Sequence, residues 1–393
     1  MTTTPEINLS DPDVVRDPFT SYGDAREIAP LARIVIPGMN PLWGLTRHAD
    51  ARAMLGDPRF EINADSFIRP PGIPEHCLKY MRTMSEMNGP EHARLRRLVS
   101  PAFTARRAAD FRSRVEPIVE GLLDELPSHV EDGSVDLLRH FAWLVPIDAI
   151  CELVGIPTEY RPKWREHAAH IAAGYGQGFI DAIPEVMAGA EAAVAGRRAA
   201  PDGDLLADLI RVRDEDGDRL GEAELVTLVW QLVLAGQTPA NLIPNAVHAL
   251  HDHPDQLARL RADDSLMPRA VEELIRWCGS TLLTIPRYAT EDVELFGTLV
   301  HKGEAVTAVV AAANRDPRAF TAPDELDITR TSGAAHLGFG HGQHFCLGAS
   351  LARVQTEVAL SALLRRFPAL AIVSADRAPD PGNWRLSSLH ATL

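Results

Sequence analysis

Apolar residues recur at alternating three- and four-residue spacing through "ADFRSRVEPIVEGLLDEL" (109–126) and "SLARVQTEVALSALLRRF" (350–367), which predicts two long amphipathic helices. "EAELVTLVWQLVLAG" (222–236) is apolar on nearly every face, the pattern of a helix buried on all sides. Strand patterns are sparse. "LARIVIP" and "PLWGLTR" read as a hairpin turning at "GMN", and "YATEDVELFGTLVHKGEAVTAVV" as short strands joined by turns. "FIRPPGIPEH" reads as a proline-rich loop and "GYGQGF" as a glycine-rich break between helices. No internal repeat and no linker interrupts the chain. The expected architecture is therefore mainly α with a small β portion, drawn chiefly from residues 31–47 and 281–310, in a single domain spanning 1–393.

Composition narrows this picture. The chain is 24% charged and 46% hydrophobic, ordinary globular proportions, and its length allows a large core. A formal charge of −15 argues against nucleic acid as a partner. The opening "MTTTPEINLSDPDVV" lacks the apolar stretch of a signal peptide. The longest apolar run, Leu225–Gly236, is too short to span a bilayer and contains Gln231. A soluble, cytoplasmic protein without membrane association is expected.

Cys77, Cys151, Cys278 and Cys346 show no CxxC spacing, so neither a zinc ribbon nor a disulfide framework is expected. Cys346 stands apart, within "GFGHGQHFCLG" (338–348) and immediately before the helix predicted at 350–367. Backbone N–H groups and the positive dipole end at a helix N-terminus favour an anionic sulfur. Glycines before the cysteine let the backbone bend tightly and approach a flat partner. That layout suits a thiolate beneath haem. Two other readings compete: an ordinary buried cysteine, and zinc held by His341, His344 and Cys346, for which the chain offers no evident fourth ligand.

The loop resembles the haem-ligand loop of the cytochrome P450 superfamily, F-x-x-G-x-x-x-C-x-G, with Phe339, Gly342, Cys346 and Gly348 on the pattern. Other stretches follow in the family's order: "GPEHARLRRLVSPAFT" resembles its C helix, "LVLAGQTPANLI" its oxygen-groove helix, "EELIRW" its E-x-x-R, and "IPRYATEDVELFGTLVHKGEAVTAVVAAANRDP" the strands beyond. The resemblance implies the cytochrome P450 fold and haem b with iron on the Cys346 thiolate. It implies haem-binding roles for His92, Arg96, Ala235, Gly236, Arg287, Phe339, His344 and Gly348. Arginine suits the propionates because its fork binds carboxylates at two points. Glu273 and Arg276 would form a structural pair, joined by Arg330.

The family's groove carries an acid and an alcohol that organise water for proton delivery. Here the stretch reads Ala235-Gly236-Gln237-Thr238-Pro239-Ala240-Asn241, without a carboxylate. Counting from Ala235–Gly236 places Thr238 on the acid and Pro239 on the alcohol; counting back from "NLI" places Gln237 on the acid and Thr238 on the alcohol. Gln237 and Thr238 are the catalytic candidates on the second count. Pro239, read as lying inside the helix, would free the Ala235 carbonyl and kink the groove. The implied activity is monooxygenation, hydroxylation or epoxidation, of a medium-to-large apolar natural product such as a polyketide, macrolide or terpenoid, in secondary metabolite or antibiotic biosynthesis. It would use O2 and electrons from a ferredoxin and its ferredoxin reductase. The alternative is a non-catalytic haem protein that binds a ligand or senses a gas. Arg94, Arg96, Arg97, Arg106, Arg107, Arg112 and Arg114 crowd one region of an acidic chain, as a basic docking patch or a solvated helix face.

Overall fold

The computed structural model describes residues 4–67, 71–173, 176–200, 203–212, 217–331, 333–380 and 382–393, apart from the side chains of Ala173 and Gln237. The chain packs into two compact units, each assembled from separate stretches. The first comprises Met1–Phe67, Asn241–Ala349 and Ala371–Leu389; the second comprises Ile68–Ala240, Ser350–Leu370 and His390–Leu393.

The first unit is built on a six-stranded sheet. Its spatial order is Glu6–Asn8, Leu31–Val35, Leu42–Leu45, Ala305–Ala308, Arg287–Ala289, Phe60–Glu61. The expected hairpin is present, with Leu31 opposite Leu45 and Ile34 opposite Leu42 in antiparallel register. Strand alternation sends neighbouring side chains to opposite faces. Leu31, Leu45, Val306 and Ala308 join one buried cluster with Met54 and Leu55 of the helix His48–Gly56. Ala32, Ile34 and Leu42 join a second with Tyr22 and Ala25 of the helix Pro18–Ile28. Helices thus cover both faces. The pairs Val293–Leu295 and Thr298–Val300 form a separate small hairpin.

The second unit is helical. In the helix Ala105–Glu125, Ala108, Phe111, Val115, Val119, Leu122 and Leu123 are buried along one stripe, and the Thr104 side chain caps the N-terminus by accepting from the Arg107 N–H. At ~1.5–3 kcal/mol for each fully buried large apolar side chain, this stripe outweighs intrinsic propensity in holding the helix. The helix Gly89–Val99 begins with Pro90 and Glu91 and ends with Arg96 and Arg97, agreeing with its dipole at both ends.

Several expectations need adjustment. The helix Glu222–Ala235 is buried continuously from Leu225 to Trp230, but Gln231 and Leu234 are half-buried and Ala235 is exposed, so it is not enclosed to its end. The strands Glu6–Asn8, Ala371–Arg377 and Leu386–Thr392 extend the β portion beyond 31–47 and 281–310. Residues 68–70 of the proline-rich stretch and 174–175 of the glycine-rich break lie outside the described residues. On either side of them, the helix Glu75–Met81 starts after Pro74 and the helix Gly176–Ala199 starts at its first glycine. Among the described residues no helix is long and apolar enough to cross a membrane.

Candidate functional site

Cys77, Cys151 and Cys278 are buried, while Cys346 is exposed. Burial pushes the Cys151 and Cys278 thiols up to about 12, which leaves them inert as thiolates. The loop before Cys346 is ordered by its own backbone. The Gly340 N–H donates to the Leu337 carbonyl at 2.9 Å, the Phe345 N–H to Gly342 at 3.0 Å, and the Cys346 N–H to Phe339 at 2.9 Å. Gly342–His344 forms a 3-10 turn that carries His344 half-buried. The helix Ala349–Arg366 begins three residues beyond Cys346, which places the thiol at its N-terminal end as the sequence implied. Phe339 packs against Phe345 with ring centroids 6.3 Å apart and against His336 at 5.7 Å.

Gly342 is required twice over. Its φ is +75°, and a Cβ there would stand 2.5 Å from the Leu55 carbonyl oxygen. Its small size serves contact with the end of the helix His48–Gly56. At Gly348, by contrast, a Cβ would meet nothing within 4 Å.

The same Leu55 carbonyl accepts from Arg287 Nη1 at 2.7 Å. Arg287 is 3% exposed and forms no ion pair among the described residues. Burial alone brings its guanidinium down to about 10. A buried cation without a counter-charge is costly. His341, also in this unit, is held below its ordinary range by burial and then by Arg52, His48 and Arg287. The charged groups that shift His341 are all cationic, and Arg287 has no carboxylate partner among the described residues. A cofactor bearing carboxylates fits this environment: the Arg287 fork could bind one, and Cys346 offers an accessible sulfur. A zinc site does not fit, because no group of three or more His, Cys, Asp or Glu among the described residues is arranged to hold a metal ion. His341, His344 and Cys346 therefore do not converge.

Glu273 and Arg276 meet as the sequence implied, in a two-point pair at 2.8 Å, each 3% exposed. Arg330 Nε reaches both Glu273 oxygens at 3.1 Å. The arginines spend their other donors on the carbonyls of Asn314, Pro323 and Glu325 and of Thr321 and Ala322. This network fastens residues 314–330 to the helix Met267–Cys278 and involves no exposed group of the site. Leu326, where the family pattern has an aromatic, is buried.

His92, Arg96, Ala235, Gly236, Gln237 and Thr238 belong to the second unit. His92 is buried on the stripe shared with Leu95 and Val99, and burial followed by Arg96 lowers its pKa. Arg96, one turn on, is half-buried. Ala235 ends one helix, Gly236 keeps a right-handed helical conformation (φ −64°, ψ −15°), and a new helix starts at Gln237. A Cβ on Gly236 would stand 2.0 Å from Ile150 Cδ1, so the missing side chain makes room for the helix Leu144–Val154. Pro239 consequently lies in the first turn of its helix rather than inside a continuous one. Its missing N–H is one that a first turn leaves unbonded anyway, so the expected helix-interior penalty does not arise. Thr238 is exposed, and the side chain of Gln237 lies outside the described residues.

The arginine-rich region is largely self-neutralised. Arg94 pairs with Asp218 and Glu224 at 2.5 and 2.6 Å, Arg107 with Asp208 at 3.0 Å, Arg114 with Glu152 at 3.6 Å, and Arg112 with Glu357. Arg97 and Arg106 are exposed. Sequence reading missed these pairings because the carboxylates come from distant parts of the chain. It also missed the Leu55 carbonyl, a backbone group for which no residue type is a signal.

Comparison with known proteins shows the family. The family model described as Cytochrome P450 matches residues 165–388. Cytochrome P450 monooxygenase PikC of Streptomyces venezuelae is 39% identical over 92% of this chain and 86% of its own. The 6-deoxyerythronolide B hydroxylase of Saccharopolyspora erythraea is 38% identical over 99% and 97%. Among solved structures, the Bacillus subtilis bacillaene polyketide synthase cytochrome P450 PksS superposes with a TM-score of 0.89 at 30% identity, covering 98% of this chain and 99% of that one.

Proposed function

The chain belongs to the cytochrome P450 family, and from that premise we propose that it is a haem-thiolate monooxygenase that hydroxylates or epoxidises an apolar natural product of macrolide or polyketide type. The substrate class is supported by relatives named 6-deoxyerythronolide B hydroxylase and mycinamicin IV hydroxylase/epoxidase. Working in the cytoplasm, it would take electrons from a ferredoxin reduced by its ferredoxin reductase.

Cys346 would hold the iron of haem b, and Arg287 and His344 the propionates. Bound haem supplies dioxygen activation, chemistry that belongs to the cofactor. The chain's own residues do the rest. The helix N-terminus beyond Cys346 stabilises an anionic sulfur. Thr238 holds and passes a proton at its hydroxyl, and Gln237, which neither gains nor loses a proton at neutral pH, orients water.

The observation that carries this reading is Arg287: a buried guanidinium bonded to the Leu55 carbonyl and paired with no carboxylate among the described residues. The test is spectroscopic. Purified haem-loaded protein, reduced and exposed to carbon monoxide, should show the red-shifted Soret band of a thiolate-bound haem. Cys346→Ser should lose it, and a Cys346→Ser protein that keeps the band would overturn the ligand assignment.

A further inference from the structure

After the buried run Leu225–Trp230 the chain opens: Leu232 and Gly236 are half-buried, and four further residues, Gln231, Leu234, Ala235 and Thr238, are half-buried or exposed, whereas Val233, Pro239 and Ala240 are buried. Those four residues share a helical stripe. It continues across the helix break because Gly236 stays right-handed and its N–H donates to Leu232 at 2.8 Å. The stripe is therefore an accessible strip bounded by a polar amide at one end and a hydroxyl at the other.

The amide is incompletely used. Gln231 Nε2 donates to Ser85 Oγ at 3.0 Å, while Gln231 Oε1 is shielded and has no partner among the described residues. An unpaired buried acceptor is costly, and a leucine here would continue the apolar surface without that cost. Exchanging the amide's oxygen and nitrogen does not remove the problem; it leaves a donor unpaired instead. With Nε2 held by Ser85, Oε1 is the acceptor left to be used, and the broad terminal torsion of glutamine lets it adjust to a partner without releasing Ser85.

We infer that Gln231, oriented by Ser85, is a specificity-determining residue that accepts a hydrogen bond from a hydroxyl of the substrate, so that the enzyme selects an apolar skeleton with a free alcohol over the same skeleton with that alcohol blocked. This rests on the monooxygenase reading above and adds to it the polar group by which the substrate is recognised. Leu234 and Ala235 contribute the apolar part of the strip, and the amide sets the position of one oxygen upon it.

The probes are a macrolactone with a free secondary alcohol and its O-methyl ether, titrated into the haem-loaded enzyme and followed by the low-to-high-spin change in the haem spectrum. The alcohol should bind wild-type protein about tenfold more tightly than the ether, equivalent to ~1.4 kcal/mol. Gln231→Leu should bring the two affinities together while keeping ether binding. Gln231→Glu, which retains an acceptor, should restore the preference. Ser85→Ala, which leaves the helix intact, should weaken it. Equal affinities in the wild type, a preference that survives in Gln231→Leu, or one unaltered in Ser85→Ala would each overturn the assignment. A spectral response to both probes without preference removes only the role of Gln231. No response to either in the wild type removes the macrolactone reading, and this inference with it.

Discussion

At the scale of single residues, two buried arginines of the first unit differ in what completes them. Arg276 is satisfied within the chain by Glu273 and three backbone carbonyls. Among the described residues, Arg287 bonds the Leu55 carbonyl and pairs with no carboxylate. Removing one partner of a buried, fully bonded pair leaves the other charge stranded, at ~3–5 kcal/mol. Removing an uncompensated cation relieves a desolvation cost while giving up one hydrogen bond, and the two partly cancel. Arg276→Met should therefore lower the melting temperature of the haem-free protein sharply, whereas Arg287→Met should change it little. Haem retention should fall in Arg287→Met, read as the ratio of Soret to protein absorbance after purification. Arg287→Met protein that keeps full haem, or that melts as early as Arg276→Met, would show that Arg287 is structural.

At the scale of elements, the break between Ala235 and Gln237 matters most, because it sets Thr238 on an exposed strip without a nearby carboxylate in sequence. If Thr238 passes the proton, Thr238→Ala should keep substrate binding and haem reduction but divert electrons to peroxide. The ratio of product to NADPH consumed should fall, and Thr238→Ser should recover most of it; unchanged coupling in Thr238→Ala would exclude the role. The break also shows where sequence stops being informative. A proline in an apolar run reads as a helix-interior defect, yet here a new helix starts two residues before it, and the bare Gly236 beside the break makes room for Ile150, a contact between residues far apart in the chain. Elements whose pattern faces a core were legible: the stripe of Ala105–Glu125, the hairpin 31–45, and Glu273 with Arg276 one turn apart. The strands Ala371–Arg377 and Leu386–Thr392 were not. The first buries no residue fully, so alternation gives it no signature. The second takes its place partly from pairing with Val135–Asp136, some 250 residues earlier. Cys346 stood out in the sequence because glycines and a helix start flank it; the Leu55 carbonyl that links Gly342 to Arg287 did not.

At the scale of the whole molecule, a chain of formal charge −15 must meet a partner ferredoxin, proposed here as the electron donor, without general electrostatic attraction to an acidic surface. The arginine-rich region would have to supply it, but Arg94, Arg107, Arg112 and Arg114 are engaged by the chain's own carboxylates. Their charges are largely cancelled within a few ångströms and contribute little at a distance. Arg106 is exposed and pairs with no carboxylate among the described residues, and Arg97 is exposed beside the end of the helix Gly89–Val99. The docking contribution should accordingly fall first on Arg106, and on Arg97 by its exposure alone. Ferredoxin-dependent turnover should fall as salt rises, since exposed charges are screened beyond ~10 Å at 0.1 M ionic strength. Arg97→Glu and Arg106→Glu should raise the KM for ferredoxin and flatten the salt dependence, without altering the spectral shift produced by substrate. Arg112→Glu should behave differently: it places a carboxylate against Glu357, so its effect should appear in the melting temperature before it appears in the KM. The measurement is steady-state turnover against ferredoxin concentration at low and high salt. A KM indifferent to salt and to both reversals would remove this face from electron delivery, and the partner would then have to dock elsewhere on the acidic surface, through a basic face of its own.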